Sequence, residues 1–418
     1  MKVLLLGGGG REHALGWKLA ESPEVTTLLA APGNPGLAAL GPVFPGFDPT
    51  DVMAVVDLAL ANAADLVVVG PEAPLAAGVV DALAEVGVAA FGPTKDAARL
   101  ETSKAFAKEV MTRARVPTAA AAVFDDARAA HAHLEAQAPP YVVKADGLAA
   151  GKGVLVTDDL AAARAWVERC LAGGFGAGSR TVVVEEYLAG PEISVFAICD
   201  GERALGLEPA RDYKRLGDGD VGPNTGGMGA YSPVDDVPAD LVAWTLDHVV
   251  VPTTAALAEE GTPYRGILYV GLVLTADGPK VLEFNARLGD PECQVLMPRL
   301  EEDLAVLFAE AAAGGLEAAP LRWSDRAAVD VVLASPGYPE APETGAPITG
   351  LEDVARLGDV LVFHAGTRRT AEGVVTAGGR VLNVVGLGGD RAEARRRAYE
   401  AVELVDVPGK RFRRDIAE

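Results

Sequence analysis

Lys280-Val-Leu-Glu-Phe-Asn-Ala-Arg287 decides how this chain is read. As a β-strand, the segment sends successive side chains to opposite faces. Leu282, Phe284 and Ala286 then share a face that can pack on a core. Glu283, Asn285 and Arg287 share the other. A carboxylate, an amide oxygen and a guanidinium in a row are costly in an apolar core. They suit a hard cation with oxygen ligands and an anion beside it. A magnesium ion carrying a nucleoside triphosphate fits that description. An edge strand with a solvated polar face is the competing reading. The sequel Leu288-Gly-Asp-Pro-Glu292 weakens it, because two more acids follow in a turn constrained by Gly and Pro.

Working outward, 418 residues exceed one ordinary core, so two or three domains are expected. Half the residues are hydrophobic, enough for sizeable cores and against global disorder. A formal charge of −22 disfavours nucleic acid or an anionic membrane as partner. It leaves anionic small substrates open, since a site needs only local positive charge. Three dispersed cysteines, Cys170, Cys199 and Cys293, show no CxxC spacing and fit a reducing cytoplasm. The apolar N-terminal run is too short for a signal peptide and reads as a buried first strand. No stretch is expected to reach membrane-spanning length.

Residues 1 to about 100 alternate strands with helices. Strands are predicted at Val3–Leu6, Val25–Ala30, Leu66–Val69 and Val88–Phe91, with helices at Arg11–Ala20 and Val52–Ala63. That order implies a doubly wound parallel sheet. Gly/Pro segments follow the strands, where such sheets bind ligands. One helix is predicted over Asp96–Ala114. Strands follow at Tyr141–Ala145, Val154–Thr157, Thr181–Glu185 and Ile193–Cys199, interrupted by glycine-rich loops at Gly147–Gly153 and Gly173–Gly178. Arg211–Pro233 reads as a long aperiodic loop of the functional or disordered kind. Helices are expected at Leu241–Glu260 and Glu302–Ala313. A last unit from about Trp323 has strands Ala328–Ala334, Val360–Ala365 and Val381–Val385, then a helix over Arg391–Leu404.

Several motifs carry chemistry. Gly7-Gly8-Gly9-Gly10-Arg11 opens a helix after a strand, where glycine amides can approach a phosphate. Position 12 is Glu and the second strand lacks the ribose-binding acid, so the dinucleotide fingerprint is broken. A mononucleotide or sugar phosphate is the better match; a tight strand–helix turn is the alternative. Glu72, in Gly70-Pro71-Glu72, suits either ribose hydroxyls or a helix N-terminus. Lys144 to Gly153 resembles a Walker A loop superficially but lacks its spacing and final Ser/Thr. Lys144 ends an apolar strand and Lys152 lies in the loop. One fixed and one mobile cation suit a triphosphate under a lid. Glu185-Glu186-Tyr187-Leu188 closes a strand; its backbone can bind adenine and Glu192 can take ribose hydroxyls, or it is simply a charged strand end. The five histidines show no metal-ligand spacing, and no Ser/His/Asp arrangement stands out.

These pieces occur together in one family. Residues 9–14 (Gly-Gly-Arg-Glu-His-Ala), 31–34 (Ala-Pro-Gly-Asn), 69–75 (Val-Gly-Pro-Glu-Ala-Pro-Leu) and 103–106 (Ser-Lys-Ala-Phe) resemble the phosphoribosylamine–glycine ligases. So do 144–154, 222–233 (Gly-Pro-Asn-Thr-Gly-Gly-Met-Gly-Ala-Tyr-Ser-Pro) and 283–292. These ligases are also called glycinamide ribonucleotide synthetases and belong to the ATP-grasp superfamily. The resemblance runs along essentially the whole chain in order. Segment 222–233 is its most specific part; Glu-x-Asn alone is generic to the superfamily.

The resemblance implies a multidomain α/β and α+β fold. A doubly wound N-terminal domain (1–102) would bind the sugar phosphate. An ATP-grasp domain (103–323) would carry a mobile lid at about 120–190, and a small α+β domain (324–418) would follow. The implied reaction joins glycine to 5-phosphoribosylamine with ATP, giving glycinamide ribonucleotide, ADP and phosphate through glycyl phosphate. Glu283 and Asn285 would hold Mg²⁺ or Mn²⁺. Lys104, Lys144, Lys152, Glu185, Glu186, Leu188 and Glu192 would contact ATP. Gly8, Gly9, Gly10 and Glu72 would serve the sugar phosphate or ribose. Arg287, Asp212 and Lys214 would act near glycine and the transferred phosphate. A monomeric cytoplasmic enzyme is expected, with no nucleic-acid or membrane partner. Position 213 departs from the family, being Tyr where His is expected. Position 286 is Ala where Cys is common. Two rivals stay open: an ATP-grasp ligase for another acid or amine, and a non-catalytic nucleotide sensor.

Overall fold

Strand Lys2–Gly7 shows why the first unit folds as it does. Val3 and Leu5 pack with Leu15 and Leu19 of helix Gly10–Ala20. Leu4 and Leu6 pack on the opposite side, with Val55 and Val56 of helix Val52–Asn62 and Leu83 of Val79–Glu85. A strand covered on both faces needs an unbroken apolar run rather than alternation. The sheet order is Thr27–Pro32, Lys2–Gly7, Leu66–Val69, Ala89–Phe91, all parallel. This is a computed structural model, and it describes residues 1–148, 153–175, 180–317 and 319–418.

Three further sheets of four or five strands build most of the rest. Ala121–Phe124, Val182–Glu185, Tyr141–Ala145 and Val154–Thr157 form a small antiparallel sheet in that order. Helices Ala127–Glu135 and Leu160–Leu171 cover it, with a separate core that includes Leu134, Val143, Val167 and Val184. The central antiparallel sheet runs Ala204–Gly206, Glu192–Asp200, Arg265–Thr275, Gly278–Asn285. The last sheet runs Arg211–Asp212, Gly229–Ser232, Ala327–Ala334, Arg380–Gly388, Val360–His364. Helix Arg391–Leu404 packs against it through Ala394, Ala398, Ala401 and Val402.

The structure departs from the sequence reading in four places. The helix expected over 96–114 is two, Arg99–Thr102 and Lys104–Arg113. Ser103 is extended between them and its hydroxyl caps the second helix at Phe106 N–H. The segment expected as an aperiodic loop over 211–233 contains strands Arg211–Asp212, Arg215–Gly217, Val221–Asn224 and Gly229–Ser232. Their pairing is non-local, which a periodicity argument does not see. The last of them is fully buried and joins Ala327–Ala334, so one sheet takes strands from both sides of residue 324. Finally, Leu241–Glu259 is long and apolar enough to cross a membrane by length and composition, against the expectation of none. It packs on the protein instead along one side, with Val249, Val250 and Leu257 buried in the main cluster.

The first and last sheets meet at a histidine pair. His13 Nδ1 accepts the main-chain N–H of His364 at 2.8 Å, and Asn34 Nδ2 donates to His364 O at 2.8 Å. Burial pushes His13 down to about 3 and His364 to about 4. Both rings fold uncharged, whereas in the unfolded chain they take up protons near pH 6.5. Their stabilising effect is therefore complete above about pH 6.5 and is lost as pH falls toward those folded values. We expect about 2 kcal/mol lost per ring by about pH 5. His13→Gln should flatten the fall in denaturant midpoint between pH 7 and 5; an unchanged slope would refute the assignment.

Candidate active site

The central sheet presents one polar face. Register pairs Glu192 with Val273, Ser194 with Gly271 and Gly271 with Glu283; Tyr269 pairs with Asn285. Directly opposed residues share a face, so Glu192, Ser194, Tyr269, Glu283 and Asn285 lie together. The simple alternation expected for 280–287 fails at one point. Register shifts between Gly271 and Leu272, so Leu282 is the extra residue of a bulge. Val281 and Phe284 are both buried in the main core, while Leu282 joins Ala119, Leu188 and Val273 in a small separate cluster. The bulge bends Leu282 out of line and leaves the Glu283/Asn285 face intact. Its carbonyls gain new partners: Val281 O accepts from Thr118 Oγ1 at 2.7 Å, and Leu282 O from Lys144 Nζ at 3.4 Å.

Lysines stand beside that face. Lys144 Nζ pairs with Glu185 Oε2 at 2.8 Å, both side chains almost wholly buried. Lys108 shares the same oxygen at 3.5 Å and donates to Thr118 Oγ1 and Ala119 O. Burial pushes Lys108 down to about 8. Lys104 Nζ donates to Gly147 O at 3.1 Å; burial lowers its pKa, with Glu283 opposing and Lys144 adding to the fall. Lys104, Lys144, Glu185 and Glu283 are thus one electrostatic neighbourhood. Lys152 lies outside the described residues.

The hinge expected at 185–188 lies alongside. The Glu186 N–H is taken by Ala120 O at 2.8 Å and its carboxylate accepts Ala120 N–H at 3.2 Å. Among the described residues no main-chain bond engages Leu188 N–H. Leu188 packs beneath, on Leu282.

Arg287 anchors the other end of the strand. It pairs with Glu101 at 3.0 Å and Glu72 at 3.3 Å, and donates to Asn285 Oδ1 at 3.4 Å. Burial would lower the guanidinium pKa, but Glu101 and Glu72 raise it well above normal. Burial pushes Glu72 up as well, yet Arg287 and Arg11 bring it below its usual range. Glu72 begins helix Glu72–Ala77, so it occupies a helix N-terminus and faces a cation. Glu192 and Asp212 hold Lys214, each at 2.8 Å. Despite burial, the two acids raise Lys214 well above its usual value. Tyr213 is not brought to the site. Its hydroxyl accepts Ala417 N–H at 2.8 Å and the Arg413 guanidinium lies 4.8 Å over its ring.

The glycine loop is built differently from a dinucleotide turn. Glu12 Oε2 accepts Gly9 N–H at 2.7 Å, and Glu12 Oε1 pairs with Arg11 at 2.6 Å. The Gly9 amide is therefore already engaged by a side chain. A Cβ on Gly7 or Gly70 would come within 2.4 or 2.5 Å of Glu12 Cγ, so both positions need glycine. Gly8 backs onto Gly33 O, and Gly10 onto Asn383 and Gln294. Asp290 lies next to this loop. Arg380, from the last sheet, clasps Asp290 Oδ2 at 2.8 Å and donates to Asp290 O and Gly226 O. Gly226 and Gly227 carry no side chain because Arg380 and Pro291 fill that space, at 2.9 and 2.4 Å from a would-be Cβ.

Sequence reasoning missed Lys108, Glu101, Asp290 and Arg380 as members of this cluster. Lys108 sits one helical turn beyond Lys104, a spacing that places both on one face. No local signal marks Arg380, which arrives from another sheet.

Glu283 offers two oxygens that make no hydrogen bond or ion pair among the described residues, and Asn285 Oδ1 a third. Mg²⁺ bound through one or two protein groups plus substrate phosphates and water matches this donor set. Among the described residues, no three His, Cys, Asp or Glu side chains form a closed metal cage.

Comparison with known proteins identifies the family. Models of the phosphoribosylglycinamide synthetase N domain, ATP-grasp (A) domain and C domain match residues 1–101, 102–293 and 328–418. Phosphoribosylamine–glycine ligase from Streptomyces coelicolor is 53% identical, with 100% of this chain and 99% of the relative aligned. That from Mesorhizobium japonicum is 50% identical over 100% and 97%. The crystal structure of the Thermotoga maritima ligase superposes with a TM-score of 0.87 at 38% identity, covering both chains entirely. A biotin carboxylase domain from Hydrogenobacter thermophilus, solved with ADP and magnesium, shares the fold at 18% identity (TM-score 0.76, 98% and 91% covered). With matches this extensive across all three parts, the chain belongs to the phosphoribosylglycinamide synthetase family, whose members are phosphoribosylamine–glycine ligases.

Proposed function

We propose that the polar face of the central sheet is where this chain, an ATP-dependent ligase of purine biosynthesis, activates glycine and joins it to 5-phosphoribosylamine. The observation that carries the reading is the common face of Glu192, Glu283 and Asn285, bordered by Lys104 and Lys144. Adenine fits over Leu188, Leu282, Ala119 and Val273, with the Leu188 N–H, unengaged by main chain among the described residues, as donor and Glu192 near the ribose. Lys104 and Lys144 neutralise phosphates. Glu283 and Asn285 would hold Mg²⁺ or Mn²⁺, which supplies charge neutralisation across the phosphates when bound. Arg287, fixed by Glu72 and Glu101, is placed to receive an anion, and Lys214 is kept cationic by Asp212 and Glu192.

The chemistry needs these groups. A carboxylate is a poor electrophile. The glycine carboxylate oxygen attacks the γ-phosphorus, ADP leaves, and glycyl phosphate forms. The amine then attacks the acyl carbon and phosphate departs with its electron pair. No protein nucleophile takes part; orientation, cationic stabilisation and exclusion of water do the work. The Gly8–Gly10 turn, Asp290 and Arg380 border the expected sugar-phosphate side. Because Glu12 already occupies both Gly9 N–H and Arg11, Arg380 is the more accessible phosphate partner there. We further place the enzyme in the cytoplasm as a monomer, in keeping with three buried free cysteines.

The direct assay is phosphate release from ATP, expected only when glycine and 5-phosphoribosylamine are both present. Release with another acid or amine at equal kcat/KM would favour the rival ligase; ATP binding without any release would favour the sensor.

Two substitutions follow. Glu283→Gln combined with Asn285→Ala should lower kcat at least about 100-fold with an unchanged melting temperature. Near-wild-type turnover at saturating Mg²⁺ would remove the metal assignment. Lys144→Met should weaken ATP binding about 10- to 100-fold in calorimetry, whereas Lys152→Met should act mainly on turnover. Equal ATP affinity in wild type and Lys144→Met is the outcome that contradicts this division.

A further inference from the structure

At the buried end of the polar face lies a triangle of oxygens. Ser194 Oγ and Tyr269 OH are 2.7 Å apart; Glu292 Oε1 is 2.9 Å from Tyr269 OH and 3.1 Å from Ser194 Oγ. All three residues are at most 5% exposed. Three oxygen–oxygen contacts of hydrogen-bonding length each hold a proton of their own only when three protons are present. The two hydroxyls bring one each. An ionised Glu292 would bring none, leaving the third contact to a shared, three-centre proton, the weaker arrangement in a dry interior. A protonated Glu292 completes the ring.

The niche is built around that carboxyl. Gly289 lies against Glu292 Oε2, and a Cβ there would fall 2.3 Å from it. The charged groups facing it are Asp212 and Lys214 across the sheet and Arg287 from its own turn. Burial and Asp212 push the carboxyl up, and Lys214 opposes without reversing the direction.

We propose that Glu292 is held as a neutral acid in a closed hydrogen-bonded ring with Ser194 and Tyr269, and that this ring positions the catalytic face. Tyr269 is the cross-strand partner of Asn285, and Ser194 reaches Glu283 through Gly271. Locking both hydroxyls fixes the cross-strand neighbours of the two oxygen donors. Keeping Glu292 uncharged spares the face a carboxylate where anionic substrates must approach. The ring is too buried to touch substrate, so these are positioning residues. The role in ligation rests on the function proposed above; the protonation of Glu292 does not.

The test uses Glu292→Gln, a neutral isostere that can still accept and donate. In wild-type minus Glu292→Gln infrared difference spectra at pH 7, a protonated-carboxyl C=O band is expected. A carboxylate band in its place overturns the proposal, whatever the activity. In steady-state kinetics, Glu292→Gln should stay within about threefold of wild type in kcat/KM for glycine, and Glu292→Ala should lose about 10-fold or more. The loss in Glu292→Ala should appear more in KM than in kcat. Equal losses in Gln and Ala variants would show that the ionised carboxylate is what matters, and would overturn the positioning role. Failure of the ligase assay with an intact protonated band would instead count against the function alone.

Discussion

Glu185 is a single buried carboxylate facing two lysines, and much of the molecule hangs on it. A lone buried charge is expensive, and a pair retains its value only when the remaining hydrogen-bonding groups are also satisfied. Here they are. Lys108 reaches Thr118 and Ala119, Lys144 reaches Leu282 O, and Thr118 reaches Val281 O. Through these contacts the small antiparallel sheet, the helix Lys104–Arg113 and the bulged strand Gly278–Asn285 are tied at one point. The cations proposed to neutralise phosphate and the strand of the proposed metal ligands therefore share a common mount. Removing Glu185 would strand two ammonium groups rather than one, which makes it a worse position to lose than either lysine.

The bulge at Leu282 is the second half of that design. Gly278–Asn285 is the edge of its sheet, so its outward carbonyls need partners beyond the sheet. At the bulge Val281 O and Leu282 O find them in Thr118 and Lys144, and Leu282 reaches Leu188. One irregularity thus serves both the apolar contact with Leu188 and the anchoring of Lys144.

How much of this was legible in the sequence follows from whether the cause was local. The strands of the first unit, the helix Arg391–Leu404 and the pairing of Glu283 with Asn285 on one face follow from period and composition. Lys144 at the end of an apolar strand also announced its burial. What was hidden depends on distant partners. Gly226 and Gly227 look like flexible loop residues until Arg380 and Pro291 are seen in the space beside them. Glu12 broke a dinucleotide fingerprint in sequence; only the structure shows it folding back onto Gly9 N–H and filling the hollow over Gly7 and Gly70. Ser103 reads as one more residue in a helical run, although its extended backbone ends one helix and its hydroxyl starts the next. Tyr213 stands where a histidine was expected, and its partners Ala417 and Arg413 lie about two hundred positions away.

The sheet that spans residue 324 has a bearing on how this chain can be taken apart. Gly229–Ser232 lies between Arg211–Asp212 and Ala327–Ala334, each bonded to it edge to edge. Cutting at 324 would not release two self-contained modules. It would leave a buried apolar strand with a bare row of amides and carbonyls, a template for intermolecular pairing. The last unit, for its part, would lose the strand that closes its sheet. Gene fission, domain swapping between relatives or fusion of a reporter at that boundary would therefore sever a continuous fabric, and the workable seams lie elsewhere along the chain.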